Sequence, residues 1–141
     1  METDRSALQV ALARLKKADR STRELREYLQ DKGFAQGDID GAIQHLIQLG
    51  YLDDSRLAEA VIQQARQQKR GALATQRSLA KRQLEAPALS GDQTELALSA
   101  LQSKFKPEPK EIPRAARFLT NRGFEEETIE SAIARFFPDL M

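Results

Sequence analysis

The sequence predicts an all-α protein built from three tandem three-helix repeats. Three observations carry that reading. Valine occurs only at Val10 and Val61, while Ala, Leu, Gln, Arg, Lys and Glu dominate. Strong helix formers are thus abundant and β-branched strand formers scarce. Apolar residues recur at helical spacing in short runs punctuated by glycine. Finally, YLQDKGFAQGDIDGAIQHL (28–46) aligns without a gap on FLTNRGFEEETIESAIARF (118–136). Tyr28 meets Phe118, Leu29 meets Leu119, Lys32 meets Arg122, and Gly33-Phe34 and Gly123-Phe124 are identical; Ile39/Ile129, Ala42/Ala132 and Ile43/Ile133 follow.

The middle of the chain lies on the same unit. Leu79 takes the place of Leu29, Arg82 of Lys32 and Leu84 of Phe34, with Gln83 where the turn glycine stands. The repeats are residues 1–51, 52–91 (with a degraded third helix) and 92–141. One unit of this size buries few large side chains. Neighbours must therefore cover each other, and the expected outline is elongated and curved.

The elements follow in order. Residues 6–18 place Leu8, Ala11, Leu12 and Leu15 on one stripe. Ser21-Thr-Arg-Glu24 has the form of a capping box opening a second helix, with Leu25, Tyr28 and Leu29 inward. Gly33 suits the left-handed stop beyond that helix. A third helix carries Ile39, Ala42, Ile43, Leu46 and Ile47 and ends at Gly50. Tyr51 and Leu52 then fill the seam between units, and Asp53 or Asp54 caps the next helix. That fourth helix, 54–70, turns Leu57, Val61 and Ala65 inward and ends at Gly71. A fifth, 72–85, turns in Leu73, Gln76, Leu79 and Ala80 and ends at Pro87. Residues 84–91 hold a short turn or a loop. A helix over about 92–105 shows Leu96, Leu98, Leu101 and Phe105. Proline makes 106–113 an exposed linker with little room for a helix, and Pro113 opens the next helix. The last two helices are 113–122 and 125–137.

Composition narrows the function. There is no cysteine, and His45 is the sole histidine. Disulfides, thiolate zinc and His-rich metal sites are excluded, and a cytosolic protein is expected. The N-terminus lacks a secretory pattern, and no apolar run approaches membrane-spanning length. No cofactor is expected. His45 has no partnered Ser or Cys with which to build a catalytic constellation, which points to a binding protein rather than an enzyme. Asp53 and Asp54 lack further carboxylates at ligand spacing, so they read as caps and not a metal pair.

Net charge is +1, but its distribution is uneven. Between residues 55 and 86 a run of Lys and Arg faces only Glu59 and Glu85, whereas the last third is slightly acidic. Arg66, Lys69 and Arg70 precede Gly71. They contact either nucleic-acid phosphate or an acidic partner surface, or they simply complement a helix dipole. Arg77, Lys81 and Arg82 lie on the next helix, and dipole complementation explains Arg77 least. Arg114 and Arg117 sit in the first turns of their helix, where positive charge is unfavourable, which marks them as binding candidates. Lys16, Lys17, Arg20 and Arg23 read as a solvated helix end. Tyr28, Tyr51, Phe118 and Phe124 could stack bases, but their spacing places them in the core.

The Lys32-Gly33-Phe34 turn, the Gly50-Tyr-Leu-Asp-Asp54 junction running into Ser55-Arg-Leu-Ala-Glu-Ala60, and the Arg122-Gly123-Phe124 turn together resemble the bacterial RecX regulatory family over nearly the full chain. The resemblance implies a monomeric, cytoplasmic modulator of the RecA recombinase with a role in DNA repair, recombination and the SOS response. Such a protein binds RecA filaments on single-stranded DNA, contacts DNA phosphates, and inhibits ATPase, strand-exchange and coprotease functions. Two rivals are a helical nucleic-acid-binding module without RecA, and an interaction scaffold for another complex.

Overall fold

The computed structural model describes residues 6–87, 89 and 93–138, and every regular element among them is helical. In order they are α1 (Ala7–Lys17), α2 (Thr22–Asp31), α3 (Gln36–Gln48), α4 (Asp54–Gln67), α5 (Ala72–Lys81), α6 (Gln93–Gln102), α7 (Ile112–Asn121) and α8 (Glu126–Phe136), with a 3-10 turn at Pro109–Glu111 before α7. The all-α expectation holds. The chain divides into two compact units, the first holding residues up to Glu59 together with Ala80–Glu85, the second Ala60–Leu79 together with the chain from Ala86 onward. The divisions fall inside α4 and α5.

In the first unit α1, α2 and α3 close around Ala11, Leu25, Leu29, Ile39, Ile43 and Leu46. Each large side chain withdrawn from water there contributes about 1.5–3 kcal/mol. Local sequence signals set the helix ends. Ser21 Oγ accepts from the Glu24 N–H at 3.1 Å, and Glu24 Oε1 accepts from the Ser21 N–H at 2.8 Å, completing the capping box. A second box, Ser6 with Gln9, opens α1. Gly33 and Gly50 have φ of +89° and +82°, which glycine adopts without steric cost. Of the two aspartates beyond Gly50, Asp53 is the cap, accepting from the Arg56 N–H at 3.1 Å. Asp54 instead accepts from both the N–H and the hydroxyl of Thr22, tying the start of α4 to the start of α2.

In the second unit α6, α7 and α8 pack around Ala97, Leu101, Ala115, Leu119, Phe124 and Ile133. The first turn of α5 seats against the α7–α8 turn. The Gly71 N–H donates to the Arg122 carbonyl at 2.8 Å, and the Leu73 N–H donates to the Gly123 carbonyl at 2.9 Å. Carbonyls from one turn thus satisfy donors that a helix start leaves unpaired.

Several expectations are corrected. Gly71 does not stop α4. The helix ends at Gln67, and Lys69 takes the left-handed conformation at φ +56°. Gly71 is small for a different reason, because a Cβ there would lie 2.5 Å from the Gly123 carbonyl carbon. On α5 the buried residues are Ala72, Ala74, Thr75 and Leu79, whereas Leu73, Gln76 and Ala80 are exposed. The tight seat at Gly123 selects small side chains and turns Leu73 outward. α5 ends at Lys81, four residues early, and left-handed Gln83 (φ +55°) rather than Pro87 marks the stop. Ile47, on the edge of the α3 stripe, and Tyr51, in the interunit seam of the sequence reading, are exposed at 45% and 55%; only Leu52 is buried there. The 106–113 linker contains the 3-10 turn, and α7 begins one residue earlier than expected. Leu84 to Pro87 are not helical, and residues 88, 90 and 91 of the stretch read as a short turn or a loop lie outside the described residues.

Candidate partner and nucleic-acid interface

The second unit carries an open groove of about 220 Å³ lined by Lys104, Phe105, Arg114, Arg117, Phe118 and Asn121. The turn after α6 supplies Lys104 and Phe105, the helix ending at Gln102 and not near 105 as expected; α7 supplies the rest. Arg114 and Arg117 are three residues apart on a helix, so they project on neighbouring lines of its surface. Phe105 and Phe118 meet edge to face, with ring centroids 5.4 Å apart. Cations ring this aromatic floor. Lys104 Nζ stands 4.9 Å from the Phe118 centroid, and the Arg114 guanidinium carbon 5.7 Å from that of Phe105. Arg114 also forms an exposed ion pair with Glu111 at 2.8 Å, an interaction of small worth that a stronger anion can displace. Arg117 is exposed and has no polar partner among the described residues. Phenyl rings beside cations suit a single-stranded chain, offering stacking surface to bases and counter-charge to phosphates.

The other candidate cations fall into distinct settings. Arg77 and Lys81 are exposed on α5 one turn apart, and neither has a polar partner among the described residues. Arg66 is exposed in the last turn of α4 and engaged in an interaction of its own. Arg70 is half-buried. The ammonium of Lys69 reaches the Ser99 carbonyl at 3.5 Å, and the Lys69 carbonyl accepts from Arg122 Nε at 3.3 Å. Arg82 is committed inside the first unit, donating to the Asp19 carbonyl at 2.7 Å and pairing with Glu24 at 3.3 Å. The structure therefore brings Arg114 and Arg117 into one groove and engages Lys69 and Arg82 in intramolecular contacts.

Sequence reasoning missed Lys104, Phe105, Phe118 and Asn121 as groove residues. The repeat held a signal for two of them. At the offset that matches Tyr28 to Phe118 and Lys32 to Arg122, Lys104 matches Arg14. Arg14 covers the Tyr28 ring at 4.4 Å, as Lys104 covers Phe118. Phe118 is accordingly half-buried between cations, Phe124 is fully buried, and Tyr28 lies partly buried under Arg14.

Among the described residues, no group of His, Cys, Asp and Glu could hold a metal ion, and no helix is long and apolar enough to cross a membrane. The fold and the groove together define an all-helical protein with three-helix modules and a basic, aromatic-floored surface. A family model described as the first three-helix domain of RecX matches residues 7–46. The chain is 32% identical to the regulatory protein RecX of Vibrio vulnificus, the alignment covering 92% of each chain. It is 29% identical to that of Xanthomonas axonopodis pv. citri, over 92% of this chain and 86% of the relative. The crystal structure of RecX from Lactobacillus salivarius superposes with a TM-score of 0.77 at 20% identity, over 96% of both chains, showing the same fold. The chain belongs to the RecX family of regulatory proteins.

Proposed function

We propose that this protein binds RecA filaments on single-stranded DNA and inhibits their ATPase, strand-exchange and coprotease activities, acting by binding and not by catalysis. The observation that carries the reading is membership of a regulatory family over nearly the whole chain. The basic groove on α6 and α7 adds a surface suited to the phosphates of a single strand. Near-zero net charge favours a partner that is largely protein, because a binder of naked DNA gains most of its affinity from excess cations. The protein acts in the cytoplasm as a monomer, and its sequence is organised as repeats over 1–51, 52–91 and 92–141. The left-handed residues Gly33, Gln83 and Gly123, at matching places in the three segments, support that organisation.

Titrating the protein into RecA hydrolysing ATP on single-stranded DNA tests this. Inhibition at well below one molecule per RecA protomer is expected, and a folded sample without effect would falsify the reading. Arg77→Glu with Lys81→Glu, and separately Arg114→Glu with Arg117→Glu, each weaken inhibition while leaving the fold intact. Unchanged inhibition by a folded double variant removes that pair from the interface.

A further inference from the structure

Two turns of this molecule are docked, and each shows what its docking surface looks like. In the second unit the Arg122-Gly123 turn sits on the start of α5. Its carbonyls accept from the N–H groups of Gly71 and Leu73, and the Arg122 guanidinium donates to the carbonyls of Gln68 and Lys69 just ahead of that helix. In the first unit the matching Arg82-Gln83 turn sits by the start of α2. Arg82 donates to the Asp19 carbonyl at 2.7 Å, and the Gln83 amide donates to Glu27 at 3.0 Å. Asp19 and Lys69 stand at the same place relative to the following helix. The device repeats: a turn cation reaches the bare carbonyl ahead of a helix, and the turn itself lies against that helix's N-terminal end.

The third copy of the turn has the same backbone, and among the described residues no helix start is hydrogen-bonded to it. The Phe34 N–H donates to the Leu29 carbonyl at 3.3 Å as Phe124 does to Leu119 at 3.1 Å, and Lys32 donates to Tyr28 as Arg122 does to Phe118. Gly33 has the same left-handed φ as Gly123. Yet a Cβ at Gly33 would find no atom within 4 Å, whereas at Gly123 it would meet the Ala74 Cβ at 2.3 Å. Lys32 is exposed, and among the described residues its ammonium faces only the Tyr28 ring at 5.5 Å.

From this we infer that the Lys32-Gly33-Phe34 turn docks on a protein partner, receiving the N-terminal turn of a helix that has small residues in its first positions and a free carbonyl just ahead. The helix start at Gly71–Thr75 is the internal template for that occupant. The helix start of a second copy that corresponds to this template does not supply it. In the last segment the helix matching α5 is α7, where Pro113 replaces Leu73 and so lacks the N–H that donates. Arg114 replaces Ala74 and fills the space the turn needs. The partner is therefore a different chain. Its identification as the RecA filament rests on the proposed function.

The experiment compares wild type, Lys32→Glu, Gly33→Asn and Lys32→Arg for inhibition of RecA ATPase on single-stranded DNA, with thermal midpoints and affinity for naked single-stranded DNA measured alongside. Asparagine tolerates the left-handed conformation but places a side chain across the docking face. Lys32→Glu and Gly33→Asn are expected to raise the half-inhibitory concentration about tenfold or more while melting within about 5 °C of wild type, and Lys32→Arg is expected to inhibit as wild type does. Wild-type inhibition matched by folded Lys32→Glu and Gly33→Asn overturns the docking inference and leaves the proposed function standing. A parallel loss of affinity for naked DNA also overturns it, by making the turn a phosphate contact. No inhibition by wild type overturns the proposed function and the recombinase as the partner together.

Discussion

The turns at Gly33 and Gly123 differ little in sequence and hardly at all in backbone, but their surroundings are opposite. Lys32-Gly33-Phe34 stands open, while Arg122-Gly123-Phe124 is covered by the first turn of α5. A glycine at a helix stop has two separable reasons to be glycine: the left-handed φ, and the absence of a Cβ. At Gly33 only the first applies; at Gly123 both do. The two units also hold their turns differently. In the first, Arg26 of α2 pairs with Asp40 of α3, bracing the helices on either side of the turn. In the second, Ala116 and Glu130 occupy those places and the docked α5 start supplies the brace.

Gly123→Val should produce the largest effect. The added Cβ collides with the Ala74 N and Cα at 2.6 and 2.9 Å, and the left-handed φ adds strain. A loss of about 4 kcal/mol or more is expected, against about 1–2 kcal/mol for Gly33→Val, where only backbone strain acts. Denaturant midpoints of the two variants check this. Equal losses would mean that the Gly71–Gly123 seat contributes nothing. Next in size is Arg122→Ala, which leaves the Gln68 and Lys69 carbonyls without their donor and should cost about 2 kcal/mol. Lys32→Ala at the open turn should stay within about 0.5 kcal/mol of wild type, so a cost at Lys32 as large as at Arg122 would erase the contrast.

The smallest effect concerns pH. Hydrogen bonds from Arg26, chiefly, and Gln36 hold the Asp40 carboxyl below its ordinary value of 3.8. A carboxyl depressed in the folded state favours folding above its unfolded value, and that contribution fades as pH falls through the lowered folded value. An NMR titration should show Asp40 protonating below 3.8, and Arg26→Gln should move it back up. No movement would show that the ion pair does not brace the first unit's turn.

Much of this was legible in the residues themselves. The Ser21–Glu24 capping box, the glycine stops at Gly33, Gly50 and Gly123, and the buried stripe of α3 all depend on neighbours within a few positions. The correspondence of Arg82 with Arg122 was readable too, but the left-handed stop at Gln83 was not, because glutamine gives no residue-type signal for it and Pro87 offered a stronger one. The groove was half legible: Arg114 and Arg117 stand out as cations in an unfavourable first turn, but Lys104 and Phe105 join them only because α6 ends beside α7.

Sequence by itself determined the all-helical class, the capping box that opens α2 and the glycine stops at Gly33, Gly50 and Gly123, because propensity, capping and left-handed φ act over one or two turns of chain. Tertiary structure decided which face of α5 is buried, why Gly71 is glycine, which cations are used up in internal contacts, and which copy of the turn remains open. Those outcomes depend on residues some fifty positions apart meeting at distances near 3 Å, as Arg122 meets Lys69, and no local pattern encodes such a meeting.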